Sequence, residues 1–269
     1  MSFSARSVNT FGSLARKNPV NVLIVKDRLN IVMPKVFDCF CWNGEQDILE
    51  IRLNILDPFV DYFIICESEQ TFSGKPKPIY YKGDNPQVIH IIAPNIETDN
   101  AFERAKHQKD YIRTALKDCD PEDIIYYGDV DEIWKPQTEE GKLHQLNYSY
   151  YLNNRSSEEW YGTNVFKYKN IRPLHEIRAD HSKYLENGGW HFQNLGGADQ
   201  IRKKLESYDH QEFNNEDLKA DLERKMDVGE DYVGRQFDWQ GNSFSFWIDE
   251  SELPSYIIDN KEKWKKLLR

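Results

Sequence analysis

An apolar run, Ile124-Ile125-Tyr126-Tyr127, leads directly into Gly128-Asp129-Val130-Asp131-Glu132, which places three carboxylates within four residues. On extended backbone alternate side chains point the same way, so Asp129 and Asp131 share a face. Two carboxylates held close repel each other, and either a raised pKa or a bound cation relieves that repulsion. Oxygen donors of this kind suit Mg²⁺ or Mn²⁺, whose remaining coordination positions go to phosphate oxygens and water. The chemistry on offer is metal-assisted departure of a phosphate or diphosphate. Without a cation the same residues make an acidic turn after a strand, and D-x-D alone does not choose between the two.

Several elements must position this segment. Residues 36–40 read as a buried strand. Asn43 then caps a helix, with Gln46 placed to reach back, and Ile48, Ile51, Ile55 and Leu56 give that helix an apolar face. Asp57-Pro58 stops it, and residues 62–66 form a second buried strand. Strand, helix, strand in this order implies a right-handed crossover and a parallel pair. Residues 71–78 carry turn chemistry, residues 88–92 a strand, residues 101–117 a long helix, and residues 124–127 the strand before the acids. Ligands of open α/β sheets bind at the carboxyl ends of the strands, where both Glu67 and the Asp129 segment fall. Beyond residue 138 the pattern loosens. Helices are predicted over residues 139–146, 198–208, 216–226 and 260–268, and short aromatic segments between them read as strands of a mixed sheet. One α/β domain over residues 33–269 follows, with a nucleotide-binding half at 33–135 and an acceptor-binding half at 136–269. Residues 1–32 read as a flexible extension.

Composition narrows the function. With 39% apolar residues the chain has enough for a core, which excludes a disordered protein. The 13% aromatic share suits sugar recognition as well as core filling. Lys and Arg number 35 against 45 Asp and Glu, a net charge of −10 with no basic block, which argues against nucleic acid. Cys39, Cys41, Cys66 and Cys119 lack the C-x-x-C spacing of zinc or redox sites. No stretch approaches the roughly 20 apolar residues of a membrane span, and no signal peptide is evident, so a cytoplasmic location is expected.

Longer motifs carry a more specific message. V-F-D-C-F-C-W-N-G-E-Q-D-I-L-E-I-R-L-N-I-L at residues 36–56, V-D-Y-F-I-I-C-E-S at 60–68 and T-F-S-G-K-P-K-P at 71–78 precede D-V-D-E-I at 129–133. G-G-W-H-F and G-G-A-D-Q-I-R-K-K-L-E-S follow within residues 188–207. In this order the chain resembles glycosyltransferase family 17, the family of the enzyme that adds the bisecting N-acetylglucosamine to N-glycans. The resemblance implies a GT-A-like fold and an inverting transfer of N-acetylglucosamine from UDP-N-acetylglucosamine to a glycan acceptor, assisted by Mn²⁺ or Mg²⁺. Two positions depart from the family pattern: Trp134 stands where a proline is usual, and Gln108-Lys109 replaces Gln-Arg. Lysine keeps the charge but loses the planar two-point grip of arginine. With no anchor evident, a lipid-linked, polysaccharide or protein-linked glycan outside the Golgi is the expected acceptor.

Roles follow as expectations. Asp129 and Asp131 hold the metal. Glu67 contacts the uridine or ribose, and Arg104 and Lys109, on one helix, meet the diphosphate. Trp190 stacks on a sugar, and His191 completes the metal shell or binds phosphate, in a Gly-Gly turn that allows close backbone approach. Inversion needs a carboxylate base for the acceptor hydroxyl. Asp199, Glu132 and Asp209 are candidates, and Asp199 is favoured because it starts a helix after Gly196-Gly197. Two readings compete. A haloacid-dehalogenase-like phosphohydrolase also places D-x-D after an apolar strand, and would hydrolyse generic phosphate esters. A non-catalytic glycan- or nucleotide-binding protein would bind a UDP-sugar without releasing UDP.

Overall fold

The run before Gly128 is a strand inside a wide sheet. The computed structural model describes residues 33–238 and 240–269, so the extension assigned to residues 1–32 lies outside the described residues. The chain runs β1 (Val36–Cys41), α1 (Gln46–Leu56), β2 (Tyr62–Ser68), β3 (Val88–Ala93), α2 (Ala101–Tyr111), β4 (Ile124–Tyr127) and β5 (Glu132–Trp134). It continues through β6 (Gly141–Ser149), β7 (Asn154–Ser156), β8 (Trp160–Lys167), α3 (Leu174–Arg178), β9 (Tyr184–Leu185), β10 (Gly189–Gln193) and α4 (Ala198–Ser207). It closes with α5 (Glu216–Ala220), α6 (Leu222–Val228), β11 (Phe246–Ile248), α7 (Ser255–Asp259) and α8 (Lys261–Trp264).

Among the described residues the strands form one mixed sheet in the order β11-β7-β6-β8-β4-β1-β2-β3, with β5, β9 and β10 joined off that path. β1 pairs parallel with both β2 and β4, and β2 with β3. The other half, from β8 to β11, is antiparallel along the main path. This is the open mixed sheet of an α/β domain that the sequence implies, consistent with a GT-A-like arrangement. From Pro34 to Arg269 it is one compact unit.

Alternation along the parallel strands splits the core into two layers. Phe40, Phe63, Ile65 and Tyr126 face α1, where Ile48, Ile51 and Leu56 are buried. Phe37, Cys39, Ile64, Cys66, Ile125 and Tyr127 face the other side, with Ile112, Leu116, Leu174 and Ile177. Each fully buried aliphatic side chain of α1 contributes about 1.5–3 kcal/mol relative to exposure. That fixes α1 firmly against the sheet, which matters for the site.

The structure differs from the sequence expectation in four elements. The helix expected over 139–146 is instead strand β6, which pairs with β7, β8, β9 and β10. Leu143 and Leu146 have helical spacing, but pairing along both edges overrides it, as strand preference is set by neighbours. Asn43 does not cap α1; Glu45 holds that position, without a side-chain cap bond. The helix from residue 101 tightens into a 3₁₀ turn at Ile112–Leu116. The helix expected over 216–226 is broken into α5 and α6 at Asp221.

Candidate active site

A buried arginine shapes the D-V-D-E loop. Arg52, on the apolar face of α1, is fully buried and donates to Asp38 of β1 through Nε and Nη2, both at 2.7 Å. Its Nη1 donates to the carbonyls of Asp129 (3.0 Å), Val130 (3.1 Å) and Glu132 (2.8 Å). Trp134 Nε1 completes the Asp38 carboxylate at 2.8 Å. One guanidinium thus gathers three loop carbonyls, and a buried carbonyl left without a donor is costly. Trp134 therefore belongs to this network.

Glu132 fixes the loop from the other side. Its side chain is fully buried and accepts bonds from Arg178 on both oxygens, from Trp160 Nε1 at 3.0 Å and from the Asp129 amide at 3.1 Å. Gly128 is required by this crowding, since a Cβ there would lie 2.5 Å from both Glu132 Oε2 and Thr163 Oγ1.

With the backbone held on both sides, Asp129 and Asp131 project half-buried from the carboxyl end of β4. Asp129 Oδ1 lies 3.3 Å from Lys109 Nζ, and Oδ2 accepts from Arg178 Nη2 at 3.0 Å. Burial pushes the Asp129 carboxyl up, but Lys109 and Arg178 outweigh it and hold the group well below the ordinary aspartate value. Asp131 is likewise held below that value: burial opposes, and His191 and Lys204 prevail. Lys109 and Lys204 are each raised, because Asp129 and Asp131 respectively outweigh the burial that would lower them. The pair is therefore anionic at neutral pH, the state that a divalent cation requires.

The donor set fits a hard cation completed by a ligand. Among the described residues no three His, Cys, Asp or Glu side chains converge to hold an ion by themselves. Two ionised carboxylates leave the remaining positions to phosphate oxygens and water, as is usual for Mg²⁺. Asp131 is the freer of the two: among the described residues its one ion pair is with His191 Nε2, at 3.6 Å.

Two adjoining cavities open around Asp131. The inner, of about 170 Å³, is walled by Trp42, Phe72, Lys109, Asp129, Tyr208 and Asp209. The outer, of about 570 Å³, extends past Gln46, Asp47, Tyr80, Asn194 and Gln200. Asn43, Glu45, Thr71, Lys77, Val130, Asp131, Lys204 and Ser207 border both. Residues 71–80 are clasped to the end of α4 by Ser73 N to Ser207 O (3.1 Å) and Ser73 Oγ to Glu206 O (2.7 Å).

The sequence profile described as glycosyltransferase family 17 matches residues 25–269. The chain belongs to glycosyltransferase family 17. It is also similar to the β-1,4-mannosyl-glycoprotein 4-β-N-acetylglucosaminyltransferases of Homo sapiens, Rattus norvegicus and Mus musculus. Each is 26% identical over 141 residues, covering 41% of this chain and 24% of the relative. The match therefore spans about a quarter of the length of these curated relatives. No solved structure matches the chain significantly. Family 17 membership favours the glycosyltransferase reading over the phosphohydrolase one.

Within this family 17 chain the expected site residues divide into three groups. Asp129, Asp131 and Lys109 meet at the inner cavity. His191 is buried behind Asp131: its Nδ1 bonds Asn147 Oδ1 at 3.0 Å, and its ring stacks on Trp160 at 4.0 Å. The others, Asp209 excepted, border neither cavity. Glu67, expected on the nucleoside, is fully buried; it accepts from the amides of Tyr80 and Tyr81 and from Lys77, so it shapes the loop that walls the cleft. Arg104, expected on the diphosphate, is buried and donates instead to the carbonyls of Phe72 and Thr98. Trp190, expected to stack on a sugar, is buried with its Nε1 on Glu252 O, and Lys135 covers its ring. Of the expected bases, Glu132 has its carboxylate consumed by Arg178 and Trp160, and Asp199 points to solvent and pairs with Arg202 at 2.8 Å. Asp209 does border the inner cavity.

Sequence reasoning missed Arg52, Glu45, Arg178 and Lys204. Arg52 had a signal: it lies four residues after Ile48, a charge on an apolar helix face, and Asp38 is a lone charge in an apolar strand. Arg178 and Lys204 had none, because the chain crossings that bring them in are distant in sequence.

Proposed function

We propose that the chain transfers N-acetylglucosamine from UDP-N-acetylglucosamine to a hydroxyl of a glycan, with inversion at the anomeric carbon. The observation that carries this reading is the anionic Asp129–Asp131 pair at the strand end, flanked by Lys109 and Lys204 and open to a two-chambered cleft. The inner chamber, with Phe72 and Tyr208 in its wall, suits the nucleotide. The larger outer chamber suits the acceptor. A β-mannoside is the first acceptor to try, because the relatives are named for a β-1,4-mannosyl glycoprotein. Asp131 and Asp129 would hold Mn²⁺ or Mg²⁺, and bound there the ion supplies positive charge to the departing diphosphate. Lys109 and Lys204 bring ammonium groups to the same oxygens, and Arg178 keeps Asp129 ionised and aimed. His191 backs Asp131 and keeps its carboxylate turned to the cleft.

UDP release from a panel of UDP-sugars tests this reading, with and without Mn²⁺ and against mixed β-mannoside and N-acetylglucosaminide acceptors. UDP-N-acetylglucosamine is expected to be preferred, and chelation to abolish release. Asp131→Asn should lower kcat about 10²–10³-fold, the usual cost of removing a group that stabilises transition-state charge. Full turnover by this variant in the presence of a chelator would sink the proposal.

A further inference from the structure

Six carboxylates border the two chambers: Glu45, Asp47, Asp129, Asp131, Glu206 and Asp209. An inverting transfer needs one of them at the boundary, because the acceptor oxygen must meet the anomeric carbon where donor and acceptor adjoin. Only Glu45 and Asp131 border both chambers. Asp131 belongs to the charge pair on the diphosphate side. Glu206 is bound to Lys219 at 3.1 Å, Asp47 borders only the outer chamber, and Asp129 and Asp209 only the inner.

Glu45 is also free to act. It occupies the N-cap of α1 yet makes no side-chain cap bond. Its Oε2 accepts the Asn43 amide at 2.9 Å, a local bond that sets the direction of the carboxylate. Among the described residues no Lys, Arg or His forms an ion pair with it. α1 itself is locked to the sheet by Arg52, so the carboxylate is carried on a rigid element. It remains open to solvent in the cleft, which lets a captured proton leave.

We infer that Glu45, standing at the junction of the two chambers, is the general base that deprotonates the acceptor hydroxyl. This rests on reading the cleft as a UDP-N-acetylglucosamine transferase site. In the step, the acceptor O–H bond breaks and its proton passes to the Glu45 carboxylate. The acceptor oxygen forms the new bond to the anomeric carbon from the face opposite the diphosphate. The bond from that carbon to the β-phosphate oxygen breaks, its electron pair leaves with UDP, and Glu45 returns the proton to water.

The test compares wild-type enzyme, Glu45→Gln and Glu45→Ala with UDP-N-acetylglucosamine, Mn²⁺ and p-nitrophenyl β-D-mannoside or the best acceptor of the panel. Azide serves as a second nucleophile that needs no deprotonation. The Gln variant should lose about 100-fold or more in kcat while the KM for donor stays unchanged. The Ala variant should convert donor and azide to the inverted N-acetylglucosaminyl azide and UDP, though it fails with the sugar acceptor. Wild-type kcat in Glu45→Gln overturns the assignment, as does an Ala variant that binds donor yet makes no glycosyl azide. A wild-type enzyme that releases no UDP with any acceptor overturns the transferase reading itself, and the assignment of Glu45 with it.

Discussion

Asp129 shows how single residues set the charge of the site. Its carboxylate is partly exposed, yet Lys109 and Arg178 hold it ionised against the cost of burial. A depressed carboxyl stabilises the fold above its unfolded pKa of about 3.9, and that contribution is lost as pH falls through the lower folded value. Across the neutral range, then, neither Asp129 nor Asp131 changes charge. Removing Lys109 should move Asp129 back toward the ordinary value. Carboxyl-carbon NMR of Lys109→Met is expected to show Asp129 titrating at higher pH than in wild type; an unmoved titration would contradict the pairing. The acids were legible in the sequence because carboxylates clustered directly after an apolar strand are a local feature. Lys204 was not, because it reaches Asp131 from α4, more than seventy residues later.

At the scale of elements, the β1–α1–β2 unit was legible because hydrophobic periodicity, a proline stop and short connections all agree. What the pattern hid is that α1 also carries the polar clamp of the site. Arg52 joins Asp38 to three carbonyls of the D-V-D-E loop, so packing of a helix and shape of the cleft loop are one structure. Removing one partner of a buried ion pair leaves the other charge uncompensated, at a cost of about 3–5 kcal/mol. Arg52→Met is expected to lose stability on that order in urea unfolding, and Asp38→Asn with Arg52→Met to recover part of it. A loss under about 1 kcal/mol would mean the loop does not depend on the clamp. β6 was misread as a helix for the opposite reason: its two leucines have helical spacing, and only its partners on both edges make it a strand.

At the scale of the whole molecule, both chambers take walls from both halves of the sequence. A nucleotide half over 33–135 and an acceptor half over 136–269 would place one chamber in each. Instead Lys204, Ser207 and Tyr208 of the second half border the inner chamber, and Gln46, Asp47 and Tyr80 of the first border the outer. The clasp from Ser73 to Glu206 and Ser207 ties the two together across the cleft. Donor bound in the inner chamber should then order both sides at once. At one hundred times its dissociation constant, UDP-N-acetylglucosamine with Mn²⁺ should stabilise the protein by about 2.7 kcal/mol through linkage alone. In hydrogen exchange the added protection should appear in residues 69–81 and in residues 198–209 together, because both segments wall the same chamber. Protection confined to residues 33–135 would restore the two-half division and remove Lys204 from the donor site.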